Sequence, residues 1–164
     1  MKKGNLIVLA LLSFASLAHA QSYNTAVGLR MGTDWGLTMR QRVYKNYAAE
    51  MLLQSSLQRE ETQLTILGLI HKPILTRRLN FYYGAGFHKG WADQLDVNYE
   101  DPWGIDFIAG LELTIGSINL SYDYKPAINL KGGEQTFYSQ TGISLRYVIW
   151  KRDKYPWEQN SKKK

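Results

Sequence analysis

The side chains of this sequence best suited to chemistry are two histidines and a set of acidic and basic residues. A serine hydrolase needs a nucleophile with a base within hydrogen-bond reach and an acid that orients the base. Beyond the N-terminal segment the candidate bases are His71 and His88, and neither has a serine two residues away. We therefore expect no catalytic residue, and the arrangement left open is His88 near Ser55 or Ser139.

An acidic segment, 92–102, is the second candidate for chemistry. It carries Asp93, Asp96, Glu100 and Asp101 and no basic residue. Carboxylates in a loop are typical ligands of calcium and magnesium. Their spacing here matches no calcium-binding loop motif, and the sequence has no cysteine for a thiolate site. We expect neither a metal nor a cofactor.

The charged residues instead follow a period of two, the pattern of β-strands whose side chains point alternately to opposite faces. Between Gly104 and Leu113, for example, Asp106 and Glu112 alternate with apolar residues. Alternation of this kind predicts an all-β chain with these eight strands: Thr25–Met31, Trp35–Val43, Tyr47–Leu57, Gln63–His71, Asn80–His88, Trp103–Thr114, Ser117–Lys125 and Phe137–Trp150.

Only one face of these strands carries charge. A soluble protein buries the apolar face, whereas a membrane barrel turns it to lipid and keeps its polar residues inside. Because an unpaired charge in a narrow lumen is costly, a nearly balanced set favours a paired internal network. The predicted lumen network consists of Arg30, Arg40, Arg42, Lys125 and Arg146 with Glu50, Asp106, Glu112 and Asp123.

The N-terminal segment predicts export. Two lysines precede a short apolar run, Leu6 to Ala18, and the small-x-small sequence Ala18-His19-Ala20 follows, as in a cleaved signal peptide. The net charge of +6 lies largely in this segment and the C-terminal tail, and we expect no nucleic-acid binding. The predicted division is a signal peptide at 1–20, a barrel domain at 21–150 and a polar basic tail at 151–164.

The predicted connections differ in length. Those at 44–46 and 115–116 are tight, whereas 92–102 and 126–136 are long and polar. Short periplasmic turns and long extracellular loops are typical of closed outer-membrane barrels. This order puts both termini in the periplasm, although the segment 72–79 and the short connections after the first and third predicted strands fit it less well.

Outward aromatic residues fall at two levels, as expected of girdles at the two bilayer interfaces. The predicted girdles are Trp35, Trp103, Tyr122 and Tyr124 near the long-loop end, and Tyr47, Phe81 and Tyr147 near the other end.

Three motifs resemble a known family: Gly104-Ile105-Asp106, Ile118-Asn119-Leu120-Ser121-Tyr122-Asp123-Tyr124-Lys125-Pro126-Ala127 and Gly142-Ile143-Ser144-Leu145-Arg146-Tyr147. They resemble the small eight-stranded outer-membrane β-barrels of the OmpA transmembrane-domain type in Gram-negative bacteria. The resemblance implies a closed antiparallel up-and-down transmembrane β-barrel. Because eight strands enclose a space just wide enough for side chains, we expect a filled lumen and not an open pore.

The last predicted strand also resembles the assembly signal that the outer-membrane insertion machinery recognises. Gln140, Gly142, Leu145 and Tyr147 match its pattern of polar, glycine, apolar and aromatic positions, although the polar tail then continues beyond the strand.

The expected role is therefore structural or interactive. The expected partners are outer-membrane lipid, lipopolysaccharide and, at loops 92–102 and 126–136, an unknown protein. Two alternatives stay open: a lipid A-modifying outer-membrane enzyme, and a soluble periplasmic barrel that encloses an apolar ligand with Ile105, Phe107 and Leu111 inside.

Overall fold

The computed structural model describes residues 23–56, 61–76, 78–92, 100–133 and 135–151. They form one closed antiparallel barrel in which every strand pairs with the next and the last pairs with the first. The strands are β1 (Tyr23–Gly32), β2 (Asp34–Tyr44), β3 (Tyr47–Ser56), β4 (Glu61–Thr76), β5 (Leu79–Ala92), β6 (Trp103–Ile115), β7 (Ile118–Lys131) and β8 (Phe137–Lys151). This confirms the predicted all-β up-and-down fold.

Some predicted segments lie outside the described residues. These are the signal peptide at 1–20, the tail beyond Lys151 and most of the acidic segment 92–102. Within the described ranges, no helix is long and apolar enough to cross a membrane.

The barrel closes with a large stagger between its first and last strands. Cα partners followed around the sheet from Val27 arrive at Phe137 of β8, but Val27 itself pairs with Tyr147, ten residues further along that strand. With strands about 4.8 Å apart and about 3.3 Å per residue, this stagger tilts the strands by about 40°. A barrel of eight strands at this tilt leaves an interior that side chains can fill.

Tight turns join β2 to β3, β4 to β5 and β6 to β7 at the end of the barrel where the described chain begins and ends, the short-turn end. At the other end, β1 and β2 are joined through Thr33 alone, a short connection that departs from this pattern. The β6–β7 turn contains Gly116 at φ 63°, a left-handed conformation that glycine adopts without a steric cost. The β4–β5 connection is also tight, because β4 continues to Thr76 and β5 begins at Leu79. The predicted longer loop at 72–79 is therefore wrong, and a register shift after Pro73 carries the strand past this proline.

The opposite end carries a shorter β7–β8 connection than predicted. Residues 126–131 belong to β7, with Ala127 buried and Ile128 and Leu130 exposed on the outer wall. The predicted strand ends at Lys125, and the next residue, Pro126, cannot donate to a ladder. In β7, Lys125 and Pro126 have no partner in the register with β6, and pairing resumes at Ala127.

The two faces of the wall differ sharply in polarity. Phe107 and Leu111 are 48% and 47% exposed on the outside, whereas their sequence neighbours Asp106 and Glu112 are fully buried. A soluble barrel with an apolar cavity requires the opposite orientation, with Phe107 and Leu111 inside, and the structure does not have this orientation. The one larger apolar group in the described interior is a layer of these residues: Ala48, Leu52, Leu67, Leu69, Tyr82 and Ile108.

Candidate functional site: the charged interior

The structure places the charged residues predicted for the lumen in the interior of the barrel. Those that are fully buried are Arg30, Arg40, Glu50, Asp106, Glu112, Asp123, Lys125 and Arg146. Arg42 is half-buried nearer the short-turn end, where its Nε donates to Asn24 Oδ1 at 2.9 Å. The buried residues bond across the lumen in four groups, each named below after its central residue.

The Glu50 cluster joins four strands, β2, β3, β7 and β8. Arg40 stands directly opposite Glu50 in the β2–β3 register, and its Nη2 lies 2.6 Å from Glu50 Oε2. The other oxygen, Oε1, accepts hydrogen bonds from Thr38 Oγ1 at 2.7 Å and from Arg146 Nη2 of β8. Arg146 also donates from Nη1 to Ser121 Oγ at 2.8 Å. Glu50 thus binds two guanidinium groups, one to each of its carboxylate oxygens.

The Glu112 cluster lies next to it, toward the short-turn end, and shares Arg40. Arg40 Nη1 donates to Glu112 Oε2 at 2.5 Å, so this guanidinium bridges two carboxylates. Tyr23 donates its hydroxyl proton to the same oxygen at 2.7 Å. His71 Nε2 is 3.6 Å from Glu112 Oε2, and the His71 ring stacks on Tyr82. The cluster connects β1, β2, β4 and β6.

The Asp123 cluster connects the barrel seam to β7. Arg30 Nη1 and Nη2 lie 2.8 Å and 2.6 Å from the two oxygens of Asp123, a bidentate geometry that strengthens an ion pair. The Tyr82 hydroxyl donates to Asp123 at 2.7 Å, while the Tyr82 ring lies 4.2 Å from Arg40 Cζ. Because Arg40 belongs to both the Glu50 and the Glu112 clusters, Tyr82 links the Asp123 cluster to these two.

The Lys125 cluster occupies the long-loop half of the lumen. Lys125 Nζ donates to Gln54 Oε1 at 3.2 Å and to Thr65 Oγ1 at 3.3 Å, and it lies 3.7 Å from Asp106 Oδ1. His88 contacts Asp106 Oδ2 through Nδ1 at 3.0 Å and Asn129 Oδ1 through Nε2 at 2.8 Å.

Two interior carboxylates were missed from the sequence. Asp34 and Glu61 are 2% and 3% exposed, and Asp34 accepts a hydrogen bond from Gln140. The predicted strands began at Trp35 and Gln63, which left both carboxylates in loops. Extending the same alternation by one inward position at each strand start would have found them. With these two, acidic groups outnumber basic groups among the buried charges that the structure describes.

The predicted aromatic girdles are placed less regularly than expected. Tyr47, Phe81, Tyr147, Trp35 and Trp103 are exposed on the outer wall. Tyr122 and Tyr124 are also exposed, but they lie in the middle of β7, opposite Leu111 and Ala109, and not near the long-loop end. Their predicted height is wrong because β7 was expected to end at Lys125. Two aromatic residues outside the prediction, Trp91 and Phe137, stand near the long-loop end instead.

The residues of the predicted assembly signal alternate along β8. Gln140 and Gly142 face the lumen, and Leu145 and Tyr147 are 56% and 64% exposed on the outer wall. Gly142 makes room for an interior arginine, since a Cβ there would lie 2.5 Å from Arg30 Cζ.

Chemically, the interior combines ion pairs between carboxylates and guanidinium or ammonium groups with hydrogen bonds from neutral polar side chains. In the described part of the chain, no three His, Asp, Glu or Cys side chains are grouped to hold a metal ion. The arrangement can hold the opposite walls together and fill the space between them.

A closed eight-stranded up-and-down barrel with polar residues inside and apolar residues outside defines the structural class of this chain. Among solved structures it is similar to the crystal structure of the N-terminal β-barrel domain of Pseudomonas aeruginosa OprF, with a TM-score of 0.60 and 10% sequence identity. The similarity covers 77% of this chain and 98% of the OprF domain. At this identity the likeness is one of fold. No family model and no curated protein matches the sequence.

Proposed function

We propose that the protein is an integral outer-membrane β-barrel with a side-chain-filled lumen and a structural or surface-interaction role. The observation that carries the proposal is the inverted polarity of the wall. Buried arginines, lysine and carboxylates face the axis, while apolar side chains of all eight strands face outward and are exposed. Water would favour the reverse, whereas hydrocarbon favours this arrangement.

The ends of the strands support a bilayer-spanning orientation. Tyr44, Tyr47 and Trp150 are exposed near the short-turn end, and Trp91 and Trp103 are exposed near the long-loop end. Aromatic residues at both ends of an apolar band fit the two interfaces of a membrane. The short-turn end, which includes both ends of the described chain, would then face the periplasm. Export by a cleaved signal peptide and insertion through the signal in β8 belong to the same proposal.

A filled lumen is supported by contacts that cross the axis. Glu50 of β3 binds Arg146 of β8, and Arg40 of β2 binds Glu112 of β6. Opening a water-filled path would require these buried ion pairs to separate. We therefore propose an anchoring or interaction role and not diffusion of solutes.

Catalysis is not part of the proposal. The two ring nitrogens of His88 contact Asp106 and Asn129, neither of which is a hydroxyl nucleophile. An interior histidine held in this way fits a structural role better than that of a general base.

The proposed location predicts the behaviour of the full chain on cell fractionation. The protein is expected in the outer-membrane fraction, released by detergent but not by high salt, because the outer wall would be immersed in hydrocarbon. Unboiled samples are expected to migrate differently from boiled samples in gel electrophoresis, because a closed barrel resists the detergent. Recovery in the soluble periplasmic fraction would contradict the proposal.

The filled lumen predicts no rapid flux of sugars. Proteoliposomes that contain the folded protein are expected to swell in isotonic arabinose no faster than vesicles that contain the boiled chain. Both preparations carry the same amount of protein, so the comparison isolates the barrel itself. Swelling that rises in proportion to the amount of folded barrel would show an open pore.

A further inference from the structure

The outer wall near the long-loop end carries one row of charged side chains in register. Lys89 of β5 pairs with Trp103 of β6, and Trp103 pairs with Lys131 of β7. Lys89 and Trp103 belong to the outward face by alternation. Lys131 follows the outward Leu130, but a register shift between Trp103 and Gly104 places it opposite Trp103, and all three side chains line one depression. Closer to the middle of the barrel the outward side chains are apolar.

Directly below the row lies an apolar surface. Phe87, Ile105 and Ile128 pair with one another across the same three strands, two residues further from the long-loop end on β5 and β6. Phe87 is 67% exposed and Ile128 is 38% exposed. Along the wall toward the long-loop end, apolar side chains are thus followed by cationic and hydrogen-bonding groups. A lipid has the same order, with its acyl chains followed by its headgroup.

Residues 100–102, which precede β6, line one side of the site. Gly133 N donates to the Glu100 carbonyl at 3.1 Å, and Gly90 N donates to the Pro102 carbonyl at 2.7 Å. Gly132, at φ 69°, lets this segment approach closely, because a Cβ there would lie 2.4 Å from Glu100 O. The segment is thus held by hydrogen bonds to β5 and to the β7–β8 connection.

This arrangement leaves a depression of about 550 Å³ lined by the row and by two carboxylates. Asp101 lies 3.4 Å from Lys89 Nζ, and Glu100 lies 3.4 Å from Lys131 Nζ. The side chains of both pairs are about half exposed or more, so these ion pairs contribute little to stability and exchange readily. Each ammonium has three donors, and the Trp103 indole adds an N–H.

We propose that the row Lys89–Trp103–Lys131 binds the phosphate groups of the glycolipid in the outer leaflet, lipopolysaccharide. The proposal rests on the proposed outer-membrane location, which puts this end of the barrel at the outer leaflet. Phosphate oxygens replace the carboxylates of Glu100 and Asp101 on the two ammonium groups, and the acyl chains cover Phe87, Ile105 and Ile128.

The test is titration of the full-length mature protein, folded in detergent, with lipopolysaccharide that lacks the O-chain, in the presence of EDTA. Wild-type protein is expected to bind the phosphorylated glycolipid about tenfold more tightly than the same glycolipid after phosphatase treatment. K89Q combined with K131Q is expected to weaken binding about tenfold, the loss of two charge-assisted contacts. E100Q combined with D101N is expected to strengthen binding several-fold, because the competing carboxylates are gone.

The matched control is K45Q combined with K72Q, which removes the same charge near the short-turn end and is expected to bind like wild type. Equal weakening by both lysine pairs, or equal affinity for the dephosphorylated glycolipid, would overturn the site. Heat-modifiable migration verifies that each variant is folded. Fractionation tests the membrane location separately, so a failure of the location and a failure of the lipid site give different results.

Discussion

Replacing Glu50 with glutamine is expected to lower the free energy of unfolding by about 3 kcal/mol, the range for removing one partner of a buried ion pair. Glu50 binds Arg40 and Arg146, and all three side chains are fully buried. Glutamine keeps the shape and one acceptor oxygen but removes the charge. Arg40 retains Glu112, whereas Arg146 is left with neutral partners, so most of the cost arises at Arg146.

Urea unfolding in lipid vesicles, followed by tryptophan fluorescence, measures this loss. Glu100→Gln is the matched control, because the same substitution there removes an ion pair whose side chains are 63% and 64% exposed. An exposed pair contributes about 1 kcal/mol at most, so the control is expected to unfold close to wild type. Equal urea midpoints for the two variants would show that the interior pairs do not stabilise the barrel.

Replacing Gly28 with alanine is expected to destabilise the barrel by about 3 kcal/mol or more, at the upper end of the range for overpacking. A Cβ at Gly28 would lie 1.9 Å from the backbone oxygen of Leu145 and 2.5 Å from Arg146 Cα. Both atoms belong to β8, so the side chain can be accommodated only if β1 and β8 separate at the seam that closes the barrel. The folded fraction in gel migration and the urea midpoint are both expected to fall.

Gly68→Ala is the matched control for this prediction. Gly68 also lies within a strand, but a Cβ there would have only Ala85 O nearby, at an ordinary 3.8 Å. The control is expected to fold like wild type, since alanine has a lower entropic cost in a strand than glycine. If both alanine variants fold equally well, the close approach of the strands at Gly28 is not a constraint on closure.

The alternation of side chains was sufficient to predict most of the fold. Eight strands and the orientation of their two faces follow from a period of two, because a slip of one residue would turn the buried Asp106 and Glu112 to the outer face. The same alternation identifies the buried carboxylates and guanidinium groups strand by strand.

The strand ends were predicted less well. Pro73 and Pro126 lie within strands, where the sequence predicted connections, and Asp34 and Glu61 were assigned to loops. A proline interrupts one ladder without excluding pairing on the other edge, and Pro126 still pairs with Ser139 of β8. Sequence preferences of single residues therefore predict strands that are too short at either end, because the neighbouring strands extend the sheet beyond those residues.

The partners inside the lumen could not be derived from the sequence. Arg40 was predicted to be interior, but its bridge between Glu50 and Glu112 depends on the stagger between strands, which alternation within a strand does not determine. The Lys89–Trp103–Lys131 row likewise becomes visible only through the β5–β6–β7 register.

The long separation in sequence between interior partners has a consequence for how the barrel forms. Arg30 and Asp123 are 93 residues apart, Arg40 and Glu112 are 72 apart, and Glu50 and Arg146 are 96 apart. Each pair joins the first three strands to the last three, so none of these three pairs can form in an open sheet from either half. Non-local contacts of this kind favour slow and cooperative folding. These three pairs therefore add their stability only to the complete ring, whereas local pairs such as Arg40–Glu50 can form earlier within a hairpin.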